Sequence, residues 1–137
     1  MSKVLIVEDE MQTAKPVQEA LKIEGIEADI ALNGEEGLNK FIQNKYDLIL
    51  LDLKMPKLDG ESVLKEIRKL DPYIDVIVYT NYEDFADIKT LTNIGIDGYI
   101  NKGPGADLIQ LVRVIKNKLE PLDIEDIEKL IKTTDFI

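Results

Sequence analysis

The 137-residue chain contains neither cysteine nor histidine. Without cysteine there is no disulfide framework and no thiolate nucleophile, and a reducing cytoplasm is the simplest expected setting. Without histidine there is no imidazole base, no imidazole metal ligand and no phosphohistidine to donate. Long apolar runs are missing as well. A run such as Leu48–Leu51 falls far short of the roughly 20 residues that a membrane span requires, so no membrane association is expected. The N-terminus, Met1-Ser2-Lys3 followed at once by Val4-Leu5-Ile6-Val7, is too short and too strand-like for a signal peptide. Positive charge is also scarce: 17 Lys and Arg against 27 Asp and Glu leave a net −10. From Leu119 onward six acids face two lysines, a share of −4, so the remaining body carries −6 and is acidic too. Direct binding of nucleic acid, which needs clustered Lys and Arg on phosphates, is therefore not expected. Whatever chemistry the chain performs must run on carboxylates, hydroxyls and lysine.

What is present is ordinary for a globular protein: 45% apolar and 32% charged residues, in a length that suits one domain with one core. Five β-rich apolar stretches recur at residues 4–7, 28–32, 48–51, 76–80 and 98–100. Between them the apolar residues follow helical spacing: Ala14, Val17 and Leu21; Leu38, Phe41 and Ile42; Val63, Leu64 and Ile67; Phe85, Ile88 and Leu91; then Leu108, Leu111, Val112, Ile115 and Leu119. Strand then helix, five times over, predicts an α/β domain with a five-stranded parallel sheet and helices on both faces. The near-continuous apolar runs of the first and third strands suit strands covered on both sides. Gly25 and Gly95 are placed to end helices, Gly34 to open one and Pro72 to stop one. Pro16 fits a first helical turn if that helix starts near Thr13, or a kink if it starts at Asp9.

After Leu119 the pattern changes. Pro121 breaks the fifth helix, Asp123 and Asp126 resemble a cap and its partner, and Ile124, Ile127, Leu130 and Ile131 make a short apolar face. The expected division is a domain over residues 1–119 and an acidic extension over 120–137 with a short amphipathic helix. That helix would fold back on the domain, support a homodimer or await a partner. The capped look of the helix favours a stand-alone chain.

In an open parallel α/β sheet, ligands bind beyond the carboxyl ends of the strands. The first strand runs into Glu8-Asp9-Glu10, the third into Asp52, the fourth ends in Thr80, and the fifth runs into Lys102. Each alone has a plain reading: Glu8 and Asp9 as a solvated turn that starts a helix, Thr80 as a β-branched strand residue, Lys102 as a surface lysine. Asp52 is harder to dismiss, because it follows Leu48-Ile49-Leu50-Leu51 and a buried carboxylate needs a partner or a metal. Taken together, crowded carboxylates fit a divalent cation held by oxygen. One neutralised carboxylate can then attack a phosphoryl group, with a lysine and a hydroxyl around its oxygens.

These residues resemble the receiver domain of two-component response regulators. The matching pieces are Val4-Leu5-Ile6-Val7-Glu8-Asp9-Glu10; Leu50-Leu51-Asp52-Leu53-Lys54-Met55-Pro56 with Asp59-Gly60; Val76-Ile77-Val78-Tyr79-Thr80; and Asp97-Gly98-Tyr99-Ile100-Asn101-Lys102. The resemblance implies a flavodoxin-like strand order, 2-1-3-4-5. It implies that Asp52 is the phosphoacceptor, and that Glu8, Asp9, Asp52 and the backbone carbonyl of Lys54 hold Mg2+ or Mn2+. Lys102 and Thr80 would contact the phosphoryl group, and Tyr99 would be the aromatic switch. The implied donor is a histidine kinase or a phosphotransfer protein, and the implied output surface is the face of helix four, strand five and helix five. The chain would not be an enzyme beyond promoting its own aspartyl phosphorylation and dephosphorylation.

Three positions depart from the family pattern. Gly103 separates Lys102 from Pro104, Asn81 follows Thr80 where a small residue is common, and Glu8 replaces the commoner Asp, with a longer reach toward the metal through water. They are expected to tune lifetime and affinity, as are Lys54 and Tyr82. The main alternative is a receiver-like module that binds partners without phosphorylation. A magnesium-dependent phosphatase would commonly carry a second Asp where Lys54 stands, and a flavodoxin-like cofactor binder would show a Gly-rich phosphate loop that is absent here.

Overall fold

The computed structural model describes residues 2–55, 58–81, 85–102 and 108–120, with backbone only for 85–87. Strands and helices alternate: β1 Lys3–Val7, α1 Met11–Ile23, β2 Glu27–Ala31, α2 Gly34–Gln43, β3 Leu48–Leu51, α3 Gly60–Leu70, β4 Asp75–Thr80, α4 Phe85–Ile94, β5 Gly98–Asn101 and α5 Leu108–Leu119. The strands form one parallel sheet in the order β2-β1-β3-β4-β5, as the resemblance implies.

Period-two alternation divides the strand side chains between two cores. Leu5, Val7, Ile49, Leu51, Val76 and Val78 pack with Val63, Leu64, Ile67 and Leu91 on the face covered by α2, α3 and α4. Val4, Ile6, Leu48, Leu50 and Ile77 pack with Ala14, Val17, Leu21, Leu111, Val112 and Ile115 on the face covered by α1 and α5. Each fully buried aliphatic side chain contributes about 1.5–3 kcal/mol, so a shift of one residue in any central strand would exchange whole sets of side chains between faces. The register is thereby fixed. Val7 lies beside Leu51 and Leu51 beside Val78, while Thr80 pairs with Asn101. Asp52 N–H donates to the Val7 carbonyl (3.0 Å) and Lys102 N–H to that of Thr80 (2.9 Å), so the residues past each strand end come out side by side.

Local chemistry sets the boundaries. The Asn33 side chain caps α2 by accepting from Glu36 N–H (2.8 Å), and Asp59 caps α3 by accepting from Ser62 N–H (2.8 Å). Gly25 closes α1 with a left-handed φ of 76°. At Gly60 the need is room: a Cβ would overlap the Asp52 carbonyl and Leu53 Cα, so only glycine lets α3 start against the backbone that carries Asp52.

A clip joins the amino-terminal ends of β4 and β5, at the opposite end of the sheet from these residues. Arg68 of α3 donates to the carbonyls of Gly95 (2.9 Å) and Ile74 (2.7 Å) and to the Asp97 carboxylate (3.1 Å), which also accepts from Val76 N–H (2.8 Å). Asp97, part of the motif around the fifth strand, is thus a structural residue far from the strand ends that carry the carboxylates.

Several details differ from the sequence reading. The strand expected at 28–32 runs one residue earlier, leaving Leu32 at its edge. Ile42 is 65% exposed, so of the three expected apolar residues of α2 only Leu38 and Phe41 pack against the core. α1 starts at Met11, between the two anticipated points, and Pro16 lies in its interior. Lacking an N–H, Pro16 omits the helical bond to the Gln12 carbonyl. The expected terminal helix with Asp123, Ile124, Asp126, Ile127, Leu130 and Ile131 lies outside the described residues, as do Pro56, Tyr82, Gly103, Pro104 and the side chain of Phe85. No helix among the described residues is long and apolar enough to cross a membrane.

Candidate functional site

The alignment of strand ends brings together the residues singled out from the sequence. Glu8 and Asp9 follow β1 and Asp52 follows β3, with carboxylate oxygens of all three within 4.8 Å of one another. Glu8 and Asp52 are only 4% and 7% exposed, and Thr80 is fully buried at the end of β4. Asp9 is the more open member. Glu10 is outside the cluster: it is exposed and starts α1 through its carbonyl, which accepts from Thr13 and Ala14 N–H (3.0 Å each).

One ammonium sits among the carboxylates. Lys102 Nζ lies 2.5 Å from Glu8 Oε2 and 3.2 Å from Asp52 Oδ2, and its side chain is 10% exposed. Burial pushes the Glu8 carboxyl up to about 7, and the Asp52 charge adds to this against the opposing pull of Lys102. Burial alone would depress the Lys102 ammonium. The Glu8 hydrogen bond and the two carboxylate charges outweigh it, so Lys102 is raised and stays charged. Three carboxylates against one ammonium leave an excess of two negative charges when all are ionised. All-oxygen donors with that excess fit a small hard divalent cation.

The remaining expected residues lie around this cluster. Lys54 N–H points back toward Asp52 Oδ1 at 3.4 Å, a long contact that keeps the Lys54 backbone beside the carboxylate. Tyr99 is half-buried against the core under α2, α3 and α4. Thr80 alternates in step with Val78 and so belongs to that same face. Asn81 is exposed.

Sequence reading missed Tyr79. Its ring packs on the core under α1 and α5, and its centroid lies 5.3 Å from Lys102 Nζ. With Glu8, Asp52, Thr13, Ala14 and Val17 it lines a small cavity beneath the carboxylates. The available signal was an aromatic residue next to the strand end, on the face opposite Thr80. The direct Glu8–Lys102 pair was missed too. A larger groove of about 500 Å³ between α1 and β2, lined by Lys15, Gln18, Glu19, Lys22 and Ala28 among others, contains none of the site residues.

A family model for the response regulator receiver domain matches residues 4–115. The probable transcriptional regulator ycf27 of Cyanidium caldarium is 43% identical over 99 residues, covering 72% of this chain and 39% of its own length. The response regulator ArlR of Staphylococcus saprophyticus is 33% identical over 136 residues, 98% of this chain and 61% of its own length. The chain therefore spans 39% and 61% of these two relatives. Among solved structures, the response regulator protein TrrA of Thermotoga maritima, in complex with Mg2+-BeF, superposes with a TM-score of 0.75 at 36% identity. That superposition covers 87% of this chain and all of TrrA.

Proposed function

Since the chain belongs to the response regulator receiver domain family, and so to phosphorylation-based two-component signalling, we propose that Asp52 is its phosphoacceptor. The observation that carries this reading is the pair of buried carboxylates, Glu8 and Asp52, sharing the Lys102 ammonium with Asp9 in reach.

Glu8, Asp9, Asp52 and the Lys54 carbonyl would hold Mg2+ or Mn2+; TrrA, with its Mg2+-BeF complex, supports carrying that cation to this chain. When bound, the cation neutralises the carboxylates and the charge spread over the phosphoryl oxygens. An Asp52 oxygen forms the bond to phosphorus as the bond from phosphorus to the donor nitrogen breaks, and the departing imidazole of the donor takes up a proton. These 137 residues contain no histidine, so the donor histidine lies outside them, on a histidine kinase or a phosphotransfer protein. Lys102 pairs with a phosphoryl oxygen, and Thr80 donates its hydroxyl to another. Inverting a two-state equilibrium needs about 5.5 kcal/mol of differential interaction. Charge-assisted hydrogen bonds supply about 1.5–3 kcal/mol each, so two new contacts are of the right size. Thr80 and Tyr99 share one face of the sheet, and a shift of Thr80 would reach β5 through Tyr99. The output partner, whether an effector protein or a second copy of the chain, would meet the α4–β5–α5 face.

Receiver domains are not enzymes in the ordinary sense, and the only reaction assigned here is on the chain's own aspartate. The same reading keeps residues 1–119 as the receiver, 120–137 as an acidic extension, and the cytoplasm as its location. The phosphorylation-independent module is not favoured.

The test is intact mass after incubation with MgCl2 and acetyl phosphate, whose phosphorus–oxygen bond to acetate breaks in the transfer. One phosphoryl adduct that needs Mg2+ and is lost in Asp52→Asn is expected. An adduct of equal yield in Asp52→Asn would overturn the assignment of the site, and no adduct with beryllofluoride also failing to bind would overturn the mechanism.

A further inference from the structure

Glu8 is where this chain departs from the commoner Asp, and its contact with Lys102 is shorter than that of Asp52. Its Oε2 lies 2.5 Å from Lys102 Nζ, while Asp52, the proposed acceptor, lies at 3.2 Å. Both partners of the shorter pair are at most 10% exposed, so the bond is charge-assisted and shielded from water. The Tyr79 ring, 5.3 Å from the ammonium, supports it from the α1 and α5 side. Lys102 has three N–H donors and no acceptor, and two of them are already directed at Glu8 and Asp52. Glu8 also supplies an oxygen to the carboxylate cluster. A divalent cation and an ammonium on the same carboxylate repel each other, so the two demands on Glu8 oppose one another. An Asp in its place would be one methylene shorter.

We propose that Glu8 is a latch on Lys102. In the cation-free protein it holds the ammonium back from an incoming phosphoryl group, and it releases Lys102 when the carboxylate cluster takes up a divalent cation. Lys102 is thereby available only in a loaded site, and cation affinity is lowered by the contact that must be given up. This inference rests on the proposed function and names how that same site is regulated. Glu8 and Tyr79 act here as positioning residues for Lys102.

The test uses the whole chain with lysine side chains labelled for NMR, the Lys102 signal being assigned with Lys102→Arg. MgCl2 is titrated while the amides of Glu8 and Asp9 report occupancy. In the wild type the Lys102 ammonium is expected to be protected from exchange without Mg2+ and to shift and exchange faster at saturation. In Glu8→Asp it should already resemble the loaded wild type before Mg2+ is added. Calorimetry closes the cycle: Lys102→Met should tighten Mg2+ at least about tenfold more with Glu8 than with Asp in its place, the scale of one charge-assisted bond. Equal tightening in both backgrounds, or a Lys102 signal unmoved in a saturated site, overturns the latch and leaves the proposed function standing. A wild-type chain that takes no Mg2+ overturns both.

Discussion

Replacing Asp52 by Asn removes one of three clustered carboxylates, two of which share the Lys102 ammonium, and the sign of its effect on stability follows from the distances. Asp52 faces Lys102 at 3.2 Å and has two carboxylates within 4.8 Å. At an effective dielectric constant of about 20, the attraction is about 5 kcal/mol and each repulsion about 3.5 kcal/mol, so repulsion prevails by about 2 kcal/mol. Removing the desolvation cost of a buried carboxylate acts in the same direction. The cation-free Asp52→Asn variant should therefore be more stable than the wild type by about 1–3 kcal/mol where Glu8 is ionised. The balance depends on pH. The folded-state value of Glu8, about 7, lies above its ordinary 4.5. Its contribution to stability is complete below 4.5 and lost as pH rises through 7. At a pH well below that folded-state value Glu8 is neutral in the native protein, one repulsion disappears, and the attraction to Lys102 dominates. The same substitution should then be neutral or destabilising near pH 5.5. Urea unfolding in EDTA measures this: with slopes of about 1–3 kcal/mol per molar, the pH 8 midpoint should rise by about 1 M. Saturating Mg2+ should stabilise the wild type more than the variant and reverse their order. A variant less stable than the wild type at pH 8 in EDTA would refute the charge accounting.

Three further perturbations separate site from scaffold. Arg68→Met removes the clip to Gly95, Ile74 and Asp97 and should cost about 2–4 kcal/mol in urea unfolding, with Mg2+ affinity unchanged by calorimetry. Gly60→Ala places a Cβ into the Asp52 carbonyl and Leu53 Cα; it should cost about 1–3 kcal/mol and also weaken Mg2+ binding, because the displaced backbone carries Asp52. Tyr79→Leu keeps the apolar packing and removes the ring beside Lys102. It should lower cation-free stability by about 0.5–2 kcal/mol, while the acetyl phosphate adduct still forms. A lost adduct would place the ring in the chemistry rather than in the holding of Lys102.

The gathering of Glu8, Asp52, Thr80 and Lys102 was legible in the sequence because hydrophobic alternation fixes strand register, and register alone aligns the strand ends. Helix ends were legible for a similar reason: Gly25, Gly34 and Gly95 act within a few residues of themselves, whereas the caps made by Asn33 and Asp59 emerged only from the structure. Ile42 and Pro16 were read less well. Helical spacing accommodates an apolar residue at the rim of a face as readily as one at its centre, and a proline inside a helix is tolerated when packing outweighs one missing bond. The Glu8–Lys102 pair lay beyond reach for a different reason. Its partners are 94 residues apart, and strand register places their Cα atoms without saying which side chain is long enough to close the gap. An Asp would have given the same motif and the same fold with a side chain one methylene shorter. Here the longer Glu8 side chain spans that distance inside a site where the Lys102 ammonium pairs with both buried carboxylates. The departure from the family pattern is therefore the part of the site whose chemistry depends most on side-chain length.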